Sequence, residues 1–178
     1  LLSDHAAPDH LADRLEQAER RNLGHYGFGV KGFTLSMIET AIEAELAKLD
    51  TKESPPGLTA AIRSAVVPGG ARIRPRLCLA TAMACGIDDL PLTLATATAI
   101  ELLHCASLVH DDLPCFDDAT TRRGRPSIHC MFGERLAVLT GDALIVMAFE
   151  TLATAKTTHA DRLAPLLQLI GRSVGAVS

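Results

Sequence analysis

Between Phe33 and Leu49 the apolar residues Leu35, Ile38, Ile42, Leu46 and Leu49 recur every three or four positions. That is the spacing of one face of an amphipathic helix. Ser54, Pro55, Pro56 and Gly57 interrupt the pattern, and Leu58 to Val67 predicts a short helix before the turn at Pro68, Gly69 and Gly70. Proline is tolerated in a first turn, so Pro75 sits near the start of another helix, running through Cys85. Leu90 to His110 has no internal breaker and predicts a helix of roughly 30 Å. Two adjacent acids close it, and Pro114 bends the chain. Residues 119–126 form a polar, Arg-rich loop, with two further helices expected at about Gly133 to Ala155 and Ala160 to Val177. Residues 1–30 are polar and contain Gly24, Gly27 and Gly29; they predict a loosely held N-terminal arm with at most one short helix.

Composition agrees with helices packed on helices. Ala and Leu dominate a chain that is 48% hydrophobic, with no Trp and one Tyr. Its 178 residues make one domain with a sizeable core. The formal charge of −4 gives no basic face for nucleic acid. Five cysteines (Cys78, Cys85, Cys105, Cys115, Cys130) show no Cys-x-x-Cys spacing, so neither a disulfide framework nor a zinc site is expected, and a reducing cytoplasm fits. Leu136 to Ala155 is apolar enough to raise the question of a membrane span. Asp142 and Glu150 within it are costly in lipid, so a buried core helix is expected instead. The chain stops at Ser178 in a helical pattern with no capping glycine or polar tail, which reads as a cut.

Chemistry concentrates at His110-Asp111-Asp112-Leu113-Pro114-Cys115-Phe116-Asp117-Asp118 and the following Arg122-Arg123-Gly124-Arg125. Four carboxylates this close repel one another unless something offsets the charge. A solvated acidic loop is one outcome. Here the acids flank Leu113, Pro114 and Phe116 at the end of a long apolar helix, which favours partial enclosure. Magnesium relieves such repulsion, taking one or two carboxylates together with waters and phosphate oxygens. Arginines grip phosphates with paired N–H groups. Acids for a metal beside arginines for phosphate point to a bound diphosphate.

Asp111-Asp112-x-x-x-x-Asp117 with Arg122-Arg123-Gly124 downstream resembles the first aspartate-rich motif of the trans-prenyl diphosphate synthases, in its longer-spaced bacterial form. Gly69-Gly70-Ala71-Arg72-Ile73-Arg74-Pro75 is similar to the family's Gly-Gly-Lys-Arg-x-Arg-Pro, and Glu101 through His110 matches the helix leading into the acids. The resemblance implies an all-α bundle of the isoprenoid-synthase type around a central substrate cavity, truncated on its C-terminal side. It implies Mg2+ at Asp111 and Asp117, with Asp112 beside them, and the allylic diphosphate (dimethylallyl, geranyl or farnesyl) on Arg122. Isopentenyl diphosphate would lie on Arg72, Arg74, His104 and Arg123. Position 71 departs from the pattern: Ala71 stands where the family has Lys. The family's second aspartate-rich motif and a downstream Lys would lie beyond Ser178, so the 178 residues alone are expected to lack turnover. A homodimer is implied.

At roughly 100° per residue, His104 and Ser107 share a helix face with Asp111. In bacterial farnesyl enzymes a Tyr occupies the position of Ala106. With Ala106 and Ser107 small, the resemblance implies an open pocket and a geranylgeranyl product, most like the carotenoid-pathway synthases of purple bacteria; farnesyl diphosphate is the alternative. Helical geometry by itself favours Ser107 as the wall, because Ala106 points about 140° away from Asp111. A non-catalytic partner subunit of a complete synthase is a second class of function. A His-Asp phosphohydrolase built on His104, His110, Asp111 and Asp142 is a third, but it leaves Gly70 to Pro75 and Arg122-Arg123 without a role. Terpene cyclases share the acidic helix end and need no second diphosphate, so Arg72, Arg74 and His104 favour elongation. Asp142, in Thr140-Gly141-Asp142, is expected at a helix start or in a buried hydrogen bond, not on a metal.

Overall fold

The computed structural model describes residues 30–175 and, ahead of them, Asp13, residues 16–18 and Arg20. The expected N-terminal arm lies mostly outside the described residues; those described within it are helical, and Ala18 is buried. Seven α-helices follow: α1 (Val30–Ala47), α2 (Pro56–Val66), α3 (Ile73–Ala84), α4 (Leu90–Asp111), α5 (Ile128–Phe132), α6 (Glu134–Ala153) and α7 (Leu163–Val174). A short antiparallel hairpin, β1 (Thr121–Arg122) and β2 (Arg125–Pro126), sits between α4 and α5.

The starts and stops have local causes. Pro56 opens α2, where its missing N–H costs nothing. Asp89 caps α4 by accepting the Leu92 N–H at 3.0 Å, with Pro91 in the first turn. Gly133, at φ 84, separates α5 from α6 in a conformation that a side chain resists. Arg63 near the end of α2 donates to the Leu46 carbonyl and to Asp50, tying α2 back to the end of α1.

Helix α4 is the centre. It packs along α6 and against α1, α2 and α3. Ile38, Ile42 and Leu46 from α1, Ile62 and Val66 from α2, Leu79 from α3, Leu102 and Val109 from α4, and Leu144 and Leu152 from α6 form one core. The period-3.6 stripe of α1 is the face buried in it. Both α4 and α6 are long and apolar enough to cross a bilayer by length and composition. Here α4 is mostly buried among the other helices, and α6 packs Ala137, Leu144, Ala148 and Leu152 inward while Val138, Leu139, Asp142, Val146 and Glu150 are exposed. Gly141 permits the close approach, since a Cβ there would overlap the His110 ring. His110 Nε2 lies 3.3 Å from the Val138 carbonyl oxygen, so the end of α4 is fixed against α6.

Three elements differ from expectation. The Arg-rich segment is a hairpin, α5 is an additional five-residue helix, and the last helical pattern divides into a 3-10 turn (Ala160–Arg162) and α7. The end of that pattern, at residues 176–178, lies outside the described residues. All five cysteines are free.

Candidate active site

Asp111 ends α4, and the chain folds back on it at once. The Asp117 N–H donates to the Asp111 carbonyl at 2.9 Å, while Phe116 and Asp118 donate to the Leu113 carbonyl. Leu113 is buried and anchors the turn. Five intervening residues are thereby looped out, and Asp111 and Asp117 are held at one place with exposed side chains. Two exposed carboxylates brought together by the backbone suit a hard divalent cation. Among the described residues no three His, Cys, Asp or Glu side chains converge on one point. An ion here would therefore need waters or phosphate oxygens to complete its shell, the habit of magnesium.

Asp112 is placed differently from its neighbours. It is 2% exposed, and both its oxygens accept from Arg122: Nε lies 3.0 Å from Oδ1 and 3.1 Å from Oδ2, and Nη2 also bonds Oδ1. Expected beside the metal ligands, Asp112 uses its carboxylate here to hold an arginine. That bond is the first cause of the raised Arg122 pKa. The hairpin delivers Arg122 to Asp112. Its turn residues Arg123 (φ 52) and Gly124 (φ 75) are both left-handed, the backbone of a two-residue hairpin of type I′. Adjacent residues of β1 and its turn thus carry Arg122 toward the acids and Arg123 toward Gly70.

Arg74 and Arg123 are exposed, and His104 is half-buried on α4. Burial pushes the His104 pKa down, Arg74 pushes it further, and Arg123 and Arg122 add to that, against an opposing pull from Glu101. All three arginines act on this imidazole with positive charge, a field that favours a bound anion beside the ring. A diphosphate seated there reverses the arginines' effect, so the ring gains affinity for a proton. Binding of inorganic diphosphate just below the ordinary histidine pKa of about 6.5 is expected to take up protons. Calorimetry in buffers of different ionisation heat reads that uptake, and a His104→Gln variant should lack it; equal uptake in the variant removes His104 from the site.

Arg72 does not join this group. It is 4% exposed, its Nη1 donates to Glu101 at 2.7 Å and its Nη2 to the Val66 carbonyl at 3.0 Å. Expected on the second diphosphate, it lies inside the fold with both terminal nitrogens bound. Ala71 beside it is exposed.

An open cleft of about 880 Å³ runs between α3, α4 and α7, with Arg74 among its lining residues and Leu77, Ile100, Leu166 and Leu169 along its apolar walls. Its α4 wall includes Leu92, Thr96 and Ile100. On a helix of 3.6 residues per turn that row continues through His104 and Ser107 to Asp111. Ser107 is exposed on this row, whereas Ala106 is 1% exposed within the core. The phosphohydrolase set does not assemble around Asp111: His110 is turned to α6, with Asp142 Oδ1 3.7 Å from its Nε2.

The family model of the polyprenyl synthetases matches residues 55–174 of this chain. The chain belongs to the polyprenyl synthetase family. Its relatives in that family include proteins named geranylgeranyl diphosphate synthase from Cereibacter sphaeroides, 52% identical over 138 residues, and from Rhodobacter capsulatus, 50% identical over 139. Each alignment covers 78% of this chain and 48% of the relative, so the chain spans about half the length of these relatives. Among solved structures, the polyprenyl synthetase fold here is similar to a geranyltransferase from Legionella pneumophila (TM-score 0.76, 30% identity, 89% of this chain and 53% of that one). It is also similar to an FPP/GFPP synthase from Zymomonas mobilis (TM-score 0.73, 31% identity, 96% and 55%). The all-α isoprenoid-synthase fold expected from the motifs is the one observed.

Two residues of this polyprenyl synthetase site have roles that the sequence did not assign them. Glu101 is 2% exposed in an apolar stretch of α4, and a buried carboxylate there must find a cation. Arg125, grouped with the phosphate arginines, donates to the Val67 carbonyl at 3.2 Å and so latches the hairpin to the α2–α3 loop.

Proposed function

We propose that the protein carrying this chain is a trans-prenyltransferase that joins isopentenyl diphosphate to an allylic diphosphate (dimethylallyl, geranyl or farnesyl) and releases geranylgeranyl diphosphate. One observation carries the reading: Asp111 and Asp117, tied by the 2.9 Å backbone bond, stand at the end of the α4 row that borders an apolar cleft, with Arg74 lining that cleft and Arg122 bound to the neighbouring Asp112. The names of the half-matched relatives support the same substrates. A homodimer in the cytoplasm is part of the proposal.

The allylic carbon–oxygen bond breaks, leaving a carbocation and diphosphate; the isopentenyl double bond attacks the cation, and a proton is lost. Asp111 and Asp117 would hold Mg2+, which when bound neutralises charge gathering on the departing diphosphate. Arg122, kept in place by Asp112, donates to the allylic diphosphate as its charge grows. Arg74, Arg123 and His104 orient the isopentenyl diphosphate. The apolar walls of Leu77, Ile100, Leu166 and Leu169 exclude water from the cation.

The direct test supplies isopentenyl and farnesyl diphosphates with Mg2+ to the protein that carries this chain. Geranylgeranyl diphosphate is the expected product, and no condensation product at any Mg2+ concentration would overturn the proposal. Chain length gives a second prediction. Ala106 is buried in the core, so Tyr there must displace its neighbours toward the adjoining apolar space and shorten any chain that grows into it. Ala106→Tyr is expected to shift the product from geranylgeranyl to farnesyl; an unchanged product distribution in a folded variant leaves chain length to Ser107.

A further inference from the structure

Arg72 and Glu101 form a 2.7 Å ion pair whose side chains are each 3% exposed. The pair joins three helices. Arg72 immediately precedes α3, Glu101 lies in the middle of α4, and the same guanidinium donates to the carbonyl of Val66, the last residue of α2. Its planar fork meets both acceptors at once, which a single ammonium could not do in the same geometry. Gly69 makes room, since a Cβ there would overlap the Arg72 guanidinium. Gly70 supports the next layer: a Cβ there would lie 3.2 Å from Arg123 Cζ. Arg125 reaches the Val67 carbonyl from the same hairpin. The α2–α3 loop is therefore held from within by Arg72 and covered from outside by the hairpin arginines.

We propose that the buried Arg72–Glu101 pair is the positioning device of the second diphosphate site, setting the places of Arg123, Arg74 and His104 without touching the ligand. It acts on Arg123 through Gly69 and Gly70. It acts on Arg74 through the left-handed backbone of Arg72 (φ 48), which sets the direction of the first turn of α3. It acts on His104 through one turn of α4, since Glu101 precedes it by three residues. The pair's charges offset each other, so Arg72 adds no cation to the site. With Ala71 uncharged, binding rests on the placement of the remaining three groups. The identity of the ligand rests on the prenyltransferase reading; the positioning itself does not.

The test compares wild type with Arg72→Lys and Glu101→Gln in the protein that carries this chain. Both variants keep the side-chain size closely enough to fold, which thermal melts verify, and either one that folds carries the test. The KM for isopentenyl diphosphate is expected to rise roughly 10-fold or more. The allylic KM and the Mg2+ requirement should hold, and backbone amides of residues 67–74 should exchange faster. An equal rise in both KM values marks a merely structural pair and overturns the proposal, as does an unchanged isopentenyl KM. If wild type forms no prenyl product, the prenyltransferase reading falls. Titration with inorganic diphosphate then decides the positioning: weakened binding with faster exchange at 67–74 supports it, and unchanged affinity overturns it.

Discussion

Asparagine at Asp111 or Asp117 is expected to lower turnover by roughly two to three orders of magnitude, the scale set by removing one preorganised group that stabilises developing charge. The substitution keeps size and removes the negative charge. Both side chains are exposed, so folding should be unaffected. The bond that pairs the two positions is between backbone atoms and survives either change. The loss should therefore appear as a higher Mg2+ requirement and a lower kcat, with an unaltered melting temperature. Asp112→Asn tests a different function: it weakens the grip on Arg122, so its main effect should fall on the allylic KM. Asp118→Asn is the control, since Asp118 sits at a left-handed turn position with His129 Nε2 3.9 Å away. Full activity in Asp111→Asn would remove the carboxylate pair from the mechanism.

Most of the helical framework was legible because it is written in local terms. The three-and-four spacing of Leu35 to Leu46 marks a face that is buried in the structure, and Pro56 and Gly133 mark boundaries through their own backbone preferences. Helix α5 was missed because its five residues are too few to show a period. The hairpin was missed because its signal is the Arg123-Gly124 pair, and arginine is an uncommon residue at positive φ.

The site was legible in its residue types and less so in their depth. Sequence alone treats Asp111, Asp112 and Asp117 alike, and likewise Arg72, Arg74 and Arg123. Which member of each set faces solvent depends on partners far along the chain. Asp112 turns inward because Arg122, ten residues on, folds back to meet it. Arg72 turns inward because Glu101 is waiting 29 residues away. The available sign was Glu101 itself, an acid in the apolar middle of α4 that needed a cation. Ala106 and Ser107 show the same limit at smaller scale: the resemblance marks both, but adjacent helical positions point about 100° apart, so one lies in the core and the other outside it.

The largest stability effect should come from breaking that buried pair on one side. Arg72→Met is expected to cost about 3–5 kcal/mol, because Glu101 is left charged and unaccompanied in the interior. The Val66 carbonyl loses its arginine donor as well. Adding Glu101→Leu removes the stranded charge, and the double variant should recover most of the loss, since an apolar pair of similar volume is often as stable as a buried ion pair. Recovery should be incomplete here, because Val66 would still lack its arginine. Arg72 Nε, buried without a partner, works in the opposite direction: replacing the guanidinium also removes an unsatisfied donor. Urea melts of wild type, both single variants and the double measure the coupling directly. If Arg72→Met costs no more than an exposed substitution, about 0.5 kcal/mol, the pair is not buried in solution and the helices it joins must be held by their apolar contacts alone. A large single loss with recovery in the double, together with an isopentenyl KM that stays high in the double, separates the two roles: stability needs the charge removed or paired, whereas the anion site needs this guanidinium in this place.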